Sequence, residues 1–72
     1  MWIRSQNKGS LINTNEIGIL KLGNMYCILS GKLILGMYHS KEKALGVLDE
    51  IEQLLNDNLE MNLDVYQMPK DE

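Results

Sequence analysis

The stretch LILGMYHSKEKALGVLDEIEQLLND, residues 33–57, changes its hydrophobic period once, and that change decides the fold class. Leu33 to His39 reads as a strand, with Gly36 inside it signalling a bulge or a close approach of another segment. From Ser40 onward the period becomes helical. Ala44, Leu45, Val47, Leu48, Ile51, Leu54 and Leu55 recur at spacings of three and four, the stripe of an amphipathic helix. Ser40 suits the N-cap, and Glu42 in the first turn complements the positive helix end. Lys43 at the third helical position leaves the capping box incomplete. Asn56-Asp57-Asn58 ends the helix, which therefore spans about 41–57. Gly46 lies inside it at a cost of about 1 kcal/mol relative to alanine. Close packing at Gly46, on the sheet or on a second chain, is the expected compensation.

Upstream of this switch the chain reads as strands and turns. Met1 to Gln6 alternates, with Met1, Ile3 and Ser5 on one face and Trp2, Arg4 and Gln6 on the other. Asn7-Lys8-Gly9-Ser10 is turn chemistry. Leu11 to Leu22 reads as one long strand, interrupted by a bulge or bend at Asn13-Thr14-Asn15. Within it Ile17 and Ile19 share one face and Leu20 and Leu22 the other, so both faces have some cover. Gly23-Asn24 and Ser30-Gly31-Lys32 are hairpin turns on either side of a strand from Met25 to Leu29. Downstream of the helix, a polar connection leads to a short strand, Val65 to Met68, stopped by Pro69. The expectation is one α+β domain over 1–72: an antiparallel sheet of four to five strands, connected as a meander. One helix packs on one sheet face, and a short C-terminal strand completes the fold. A single helix leaves the other sheet face under-covered.

Size and charge point to a partner. A chain of 72 residues buries only about 62% of its unfolded surface, the marginal end of the range. Small domains offset this with disulfides, a metal or another chain. Cys27 is the only cysteine and His39 the only histidine, which excludes an internal disulfide and a Cys/His metal cluster. No cofactor is expected, and a homodimer or higher homo-oligomer is. The net charge of −3 divides unevenly: residues 1–41 carry +4 and residues 42–72 carry −7. The acidic second half argues against general binding to a nucleic-acid backbone. The first residues hold no apolar run of signal-peptide length, and no stretch approaches 18 apolar residues. With a free cysteine this makes a cytoplasmic protein, off the membrane, the expectation.

The candidate site lies on the first strand. Trp2, Arg4 and Gln6 put a stacking surface, a planar cation and an amide on one face. Trp and Arg stack on bases, and Arg grips phosphate bidentately. Tyr66 and Gln67 add a second aromatic–amide pair if the last strand meets the first. The plain alternative is an edge strand blunted by polar residues. His39 sits at a strand end with no orienting partner or nucleophile at local spacing, so it reads as a surface histidine. Cys27 reads as a small buried hydrophobe, and Met25, Met37, Met61 and Met68 as core or interface filler. The acids from Glu42 to Glu60 read as a solvated helix face, or as a docking surface that mimics nucleic-acid charge. No phosphate loop or nucleotide fingerprint is present.

Taken together, Ile3-Arg4-Ser5-Gln6, Leu35-Gly36-Met37-Tyr38, Val47-Leu48-Asp49-Glu50-Ile51 and Val65-Tyr66-Gln67-Met68-Pro69 resemble a set of very small proteins of Gram-positive bacteria and their phages. The resemblance covers nearly the whole chain and brings no catalytic role. It implies the company of small phage proteins that disarm host defence. The expected function is therefore a non-enzymatic anti-defence protein that sequesters a small nucleotide-like signal at an oligomer interface, in the bacterial host cytoplasm. Arg4 would contact phosphate, Trp2 or Tyr66 would stack, and Gln6 and Gln67 would read polar edges. The alternatives are an inhibitor that binds a host defence nuclease or effector through Asp49, Glu50, Asp57 and Glu60, and a small structural module.

Overall fold

A computed structural model describes residues 1–57 and 65–71, the side chains of residues 56 and 57 excepted. The strands are β1 (Trp2–Arg4), β2 (Leu11–Asn13), β3 (Gly18–Leu22), β4 (Met25–Ser30), β5 (Leu33–Tyr38) and β6 (Val65–Gln67), with one helix, α1 (Lys41–Asp57), between β5 and β6. The fold is α+β. Its strands form two three-stranded sheets, β2-β1-β6 and β3-β4-β5, where the sequence suggested one larger sheet.

The division falls within Leu11–Leu22, which is two strands rather than one. At the interruption, Thr14 N–H donates to the Met1 carbonyl at 2.9 Å, and the Thr14 hydroxyl accepts from Glu16 N–H at 3.1 Å and from Ser30 Oγ at 2.9 Å. Those bonds turn the chain out of the first sheet and into the second. The second sheet is the antiparallel meander. Its two-residue loops, Gly23-Asn24 and Gly31-Lys32, each begin with a glycine at φ 60°, a conformation that costs residues with a Cβ. In the first sheet β1 pairs antiparallel with β2 and parallel with β6, so the C-terminal strand returns beside the first one.

The β4–β5 pairing carries a bulge. Ile28 lies opposite Gly36 and Leu29 opposite Ile34, leaving Leu35 as the extra residue. The bulge lets Leu35 and Tyr38 both enter the core, where they are buried with Ile3, Ile28, Ala44, Val47, Ile51 and Met68. Helix α1 supplies Ala44, Val47 and Ile51 to this core, and it packs over β3, β4 and β5. Ser40 caps it: Ser40 Oγ accepts from Lys43 N–H at 3.1 Å. Gly36 is the close approach its place suggested, with Met68 and Tyr38 pressed over it. Gly46 is not: among the described residues a Cβ there would meet nothing within 4 Å, so none of them packs against it in compensation. The sequence-assigned helix terminator Asn58, the polar connection and Met61 lie outside the described residues. Among the described residues, no helix is long and apolar enough to cross a membrane.

Candidate functional site

Pairing of β1 with β6 sorts the five candidate residues. Ile3 is opposite Tyr66 and Arg4 opposite Gln67, with Trp2 opposite Val65. Side chains alternate along a strand, so paired residues in neighbouring strands share a face. Ile3 is fully buried and Tyr66 packs against the same core. Trp2, Arg4, Val65 and Gln67 therefore occupy the outer face, with Leu11 and Asn13 of β2 beside them. The two strands do meet, the condition the sequence left open, but Tyr66 turns away from the other candidates. Its hydroxyl donates to Glu50 Oε1 on α1. Burial and the Glu50 carboxylate together push the Tyr66 phenol well above its usual range, so it stays protonated and holds strand to helix.

Gln6 also leaves the group. Strand β1 ends at Arg4, and past it the chain crosses to the edge of β5, where Gln6 N–H donates to the Leu35 carbonyl at 2.7 Å. The Gln6 side chain then copies a strand's bonding. Its Oε1 accepts from Met37 N–H at 3.0 Å, while Nε2 donates to the carbonyls of Met37 and Pro69, both at 3.2 Å. That amide joins the two sheets. Gln67 is partly committed too, since its Nε2 donates to the carbonyls of Ser5 at 2.9 Å and Met68 at 3.0 Å.

Of the five candidates, Trp2 and Arg4 stay most open on the outer face, beside the exposed Leu11 and Val65. Trp2 is 42% exposed. The Arg4 Nε donates to the Lys8 carbonyl at 3.2 Å, which draws the side chain against the 5–10 turn. Lys8 itself is exposed there, at φ 66°. The turn is held by Ser5, which is buried and donates through Oγ to Asn7 Oδ1 at 2.7 Å, and by Gly9 N–H, which donates to the same oxygen at 2.8 Å. The result is a preset arrangement of an indole and a guanidinium two residues apart, with an ammonium on the adjoining turn. The two terminal nitrogens of Arg4 carry its remaining donors, of the kind that suits a phosphate.

One pairing was invisible at local spacing. Asp71, thirty-two residues from His39, accepts from His39 N–H at 3.1 Å and meets its ring Nδ1 at 2.5 Å. This orients the ring, as a base in a catalytic dyad is oriented. The ring is 77% exposed, and among the described residues no hydroxyl or thiol is bonded to it. The pair fastens the C-terminal segment to the start of α1. Pro69 joins it there, its carbonyl accepting from Tyr38 Oη at 2.7 Å. Cys27 is free and buried. On α1, Glu42, Asp49, Glu50 and Glu52 are exposed, with Glu50 engaged by Tyr66; Glu60 and the Asp57 side chain lie outside the described residues. Among the described residues no group of three or more His, Cys, Asp or Glu side chains is arranged to hold a metal ion.

No family model matches the chain, and no curated protein or solved structure matches it.

Proposed function

We propose that this chain is a non-enzymatic binding protein. Its outer β2-β1-β6 face receives a small, planar, anionic ligand of the nucleotide class. The observation that supports this most directly is the pairing of an exposed Trp2 with an Arg4 tied by its Nε to the Lys8 carbonyl. Holding the guanidinium in place before binding lowers the entropy lost on contact. Trp2 stacks on the base, the Arg4 fork takes a phosphate, and Lys8 adds a second positive charge. Gln67 Oε1, on the neighbouring strand, is the acceptor for a base edge. Tyr66 and Gln6 act indirectly in this reading, by holding β6 to α1 and one sheet to the other. Sequestration of a signalling nucleotide by a small phage-type anti-defence protein is the biological role this reading favours.

Calorimetric titration of the full chain with cyclic mononucleotides, cyclic dinucleotides and ADP-ribose tests it, with inorganic phosphate as a further titrant. One nucleotide class should release heat and bind. Arg4→Ala and Trp2→Ala should each weaken that binding by about tenfold or more, the worth of one charge-assisted bond or one stacked ring. Heat from none of these titrants, or unchanged affinity in Arg4→Ala, refutes the reading. Binding lost instead on charge reversal at Asp49 and Glu52 refutes it in favour of the acidic helix face.

A further inference from the structure

The side-chain amide of Gln67 is held in one orientation. Its Nε2 donates to the Ser5 carbonyl at 2.9 Å and to the Met68 carbonyl at 3.0 Å, which commits both amide hydrogens. Half a turn of the amide would set Oε1 against those two carbonyl oxygens, acceptor against acceptor. The carbonyls are themselves fixed. Ser5 and Met68 are buried, the Ser5 carbonyl also accepts from Lys8 N–H at 2.9 Å, and Met68 N–H donates to the Arg4 carbonyl at 3.0 Å. Gln67 therefore offers a ligand an acceptor and no donor. Its neighbours offer the reverse. Gln67 lies opposite Arg4 in the β1–β6 register, and the open groups of Arg4, Lys8 and Trp2 are all donors. Asn13 Oδ1, the other amide oxygen of this face, already accepts from the Met1 ammonium at 3.0 Å. Among the described residues no side chain donates to Gln67 Oε1.

Resting on the reading of Trp2 and Arg4 as base and phosphate contacts, we infer that the nucleotide taken here carries an exocyclic amine on its base, and that Gln67 selects it. Trp2 and Gln67 are diagonal neighbours on adjoining strands, about 8 Å apart at the backbone, so one base lying on the indole reaches both. The amine of adenine or cytosine projects from the ring and gives a hydrogen to Oε1. Hypoxanthine and uracil hold a carbonyl at the same position. Brought to Gln67, that carbonyl meets oxygen with oxygen, and no Nε2 hydrogen is free to turn toward it. A glutamine with both ends free accommodates either base by flipping its amide. The bonds to Ser5 and Met68 withhold that freedom from Gln67, so a backbone contact becomes a choice of base. Gln6 makes no such choice, because its amide is spent on Met37 and Pro69.

Calorimetry on the full chain tests this with ligand pairs that differ by deamination alone: cyclic AMP and cyclic IMP, cyclic CMP and cyclic UMP, cyclic di-AMP and cyclic di-IMP, ADP-ribose and its hypoxanthine counterpart. Within a pair that binds, the amine form should bind about tenfold tighter, the worth of one hydrogen bond gained against one acceptor left unpaired. In Gln67→Leu that preference should vanish. In Arg4→Ala both members should weaken alike and the preference should stay. The ratio compares two ligands on one protein, so any loss of folded chain in a variant cancels from it. NMR reads the amide without a variant: the Gln67 Nε2 protons should exchange with water more slowly than the side-chain amide protons of the exposed Asn24. Deaminated ligands that bind as tightly as their partners, a preference that survives Gln67→Leu, or Gln67 protons that exchange as fast as those of Asn24 would each overturn the inference and leave the nucleotide reading standing. Binding by none of these ligands refutes that reading, and this inference with it.

Discussion

Gly36→Ala tests how tightly the C-terminal segment is seated. A Cβ built on Gly36 would stand 3.0 Å from Met68 Cε, 3.0 Å from Tyr38 Oη and 3.1 Å from Tyr38 Cε2. Such atoms settle farther apart than this, at about 3.5–4.0 Å between carbons, so the neighbours must give by a few tenths of an ångström. Neither neighbour can yield into solvent, because Met68 and Tyr38 are both buried. A shift of Tyr38 also stretches its 2.7 Å bond to the Pro69 carbonyl. Overpacking of this kind costs about 1–3 kcal/mol, and a weakened buried hydrogen bond adds up to about 1. The alanine recovers about 0.5 kcal/mol by restricting the unfolded chain. The expected net loss is about 2 kcal/mol, a fall in Tm on the order of 10 °C for a domain this small. Guanidinium unfolding followed by far-UV circular dichroism at one fixed protein concentration measures it. In a Tyr38→Phe background the hydroxyl is gone and the penalty should shrink by about half. A Gly36→Ala chain as stable as the wild type refutes the close seating of Met68 and Tyr38. An undiminished penalty in the Tyr38→Phe background refutes the part assigned to the hydroxyl.

Gly46→Ala should act in the opposite direction, stabilising by about 0.5–1 kcal/mol, because no described residue lies within 4 Å of its new methyl. A lower Tm would mean that another chain packs closely at this site. Gln6→Ala should cost about 1–3 kcal/mol in chemical denaturation, since it removes the bonds to Met37 and Pro69 that join the sheets. A change within about 0.5 kcal/mol would show that backbone pairing alone holds them. Alkaline titration should reveal Tyr38, whose phenol is pushed up to about 12 by burial and then by the charges of Asp71 and Glu50. The unfolded chain loses this proton near pH 10 while the folded chain keeps it. Stability is therefore complete below about pH 10 and falls by about 2–3 kcal/mol on reaching pH 12, with Tyr66 acting in the same direction. Denaturation midpoints that stay flat from pH 9 to pH 12 would contradict this.

The candidate site shows where local reading stops. Alternation along the first strand put Trp2 and Arg4 outward and Ile3 and Ser5 inward, and each stands so. Alternation holds only while the strand lasts, and β1 ends at Arg4, so Gln6 follows the bonds of β5 instead. The faces of Tyr66 and Gln67 depended on the register against β1, which is fixed by contacts more than sixty residues apart in sequence. The Asp71 partner of His39 was beyond local spacing for the same reason.

The sequence by itself determined what short-range sterics and periodicity control. These are the switch from strand to helix at Ser40, the Ser40 cap, the two glycine-led hairpins, the irregularity and close approach at Gly36, and the α+β class. Tertiary structure alone decided that Leu11–Leu22 breaks into strands of different sheets. That break rests on Thr14 bonding to Met1 and Ser30, which no local pattern encodes. The apolar run across β3, β4 and β5 is likewise readable residue by residue. Its meaning as one open, uncharged face follows only from the register that places Lys21 on the other side and from a helix that covers one side of the sheet. Hydrophobic periodicity is a property of a segment, whereas a face is a property of several segments held in register.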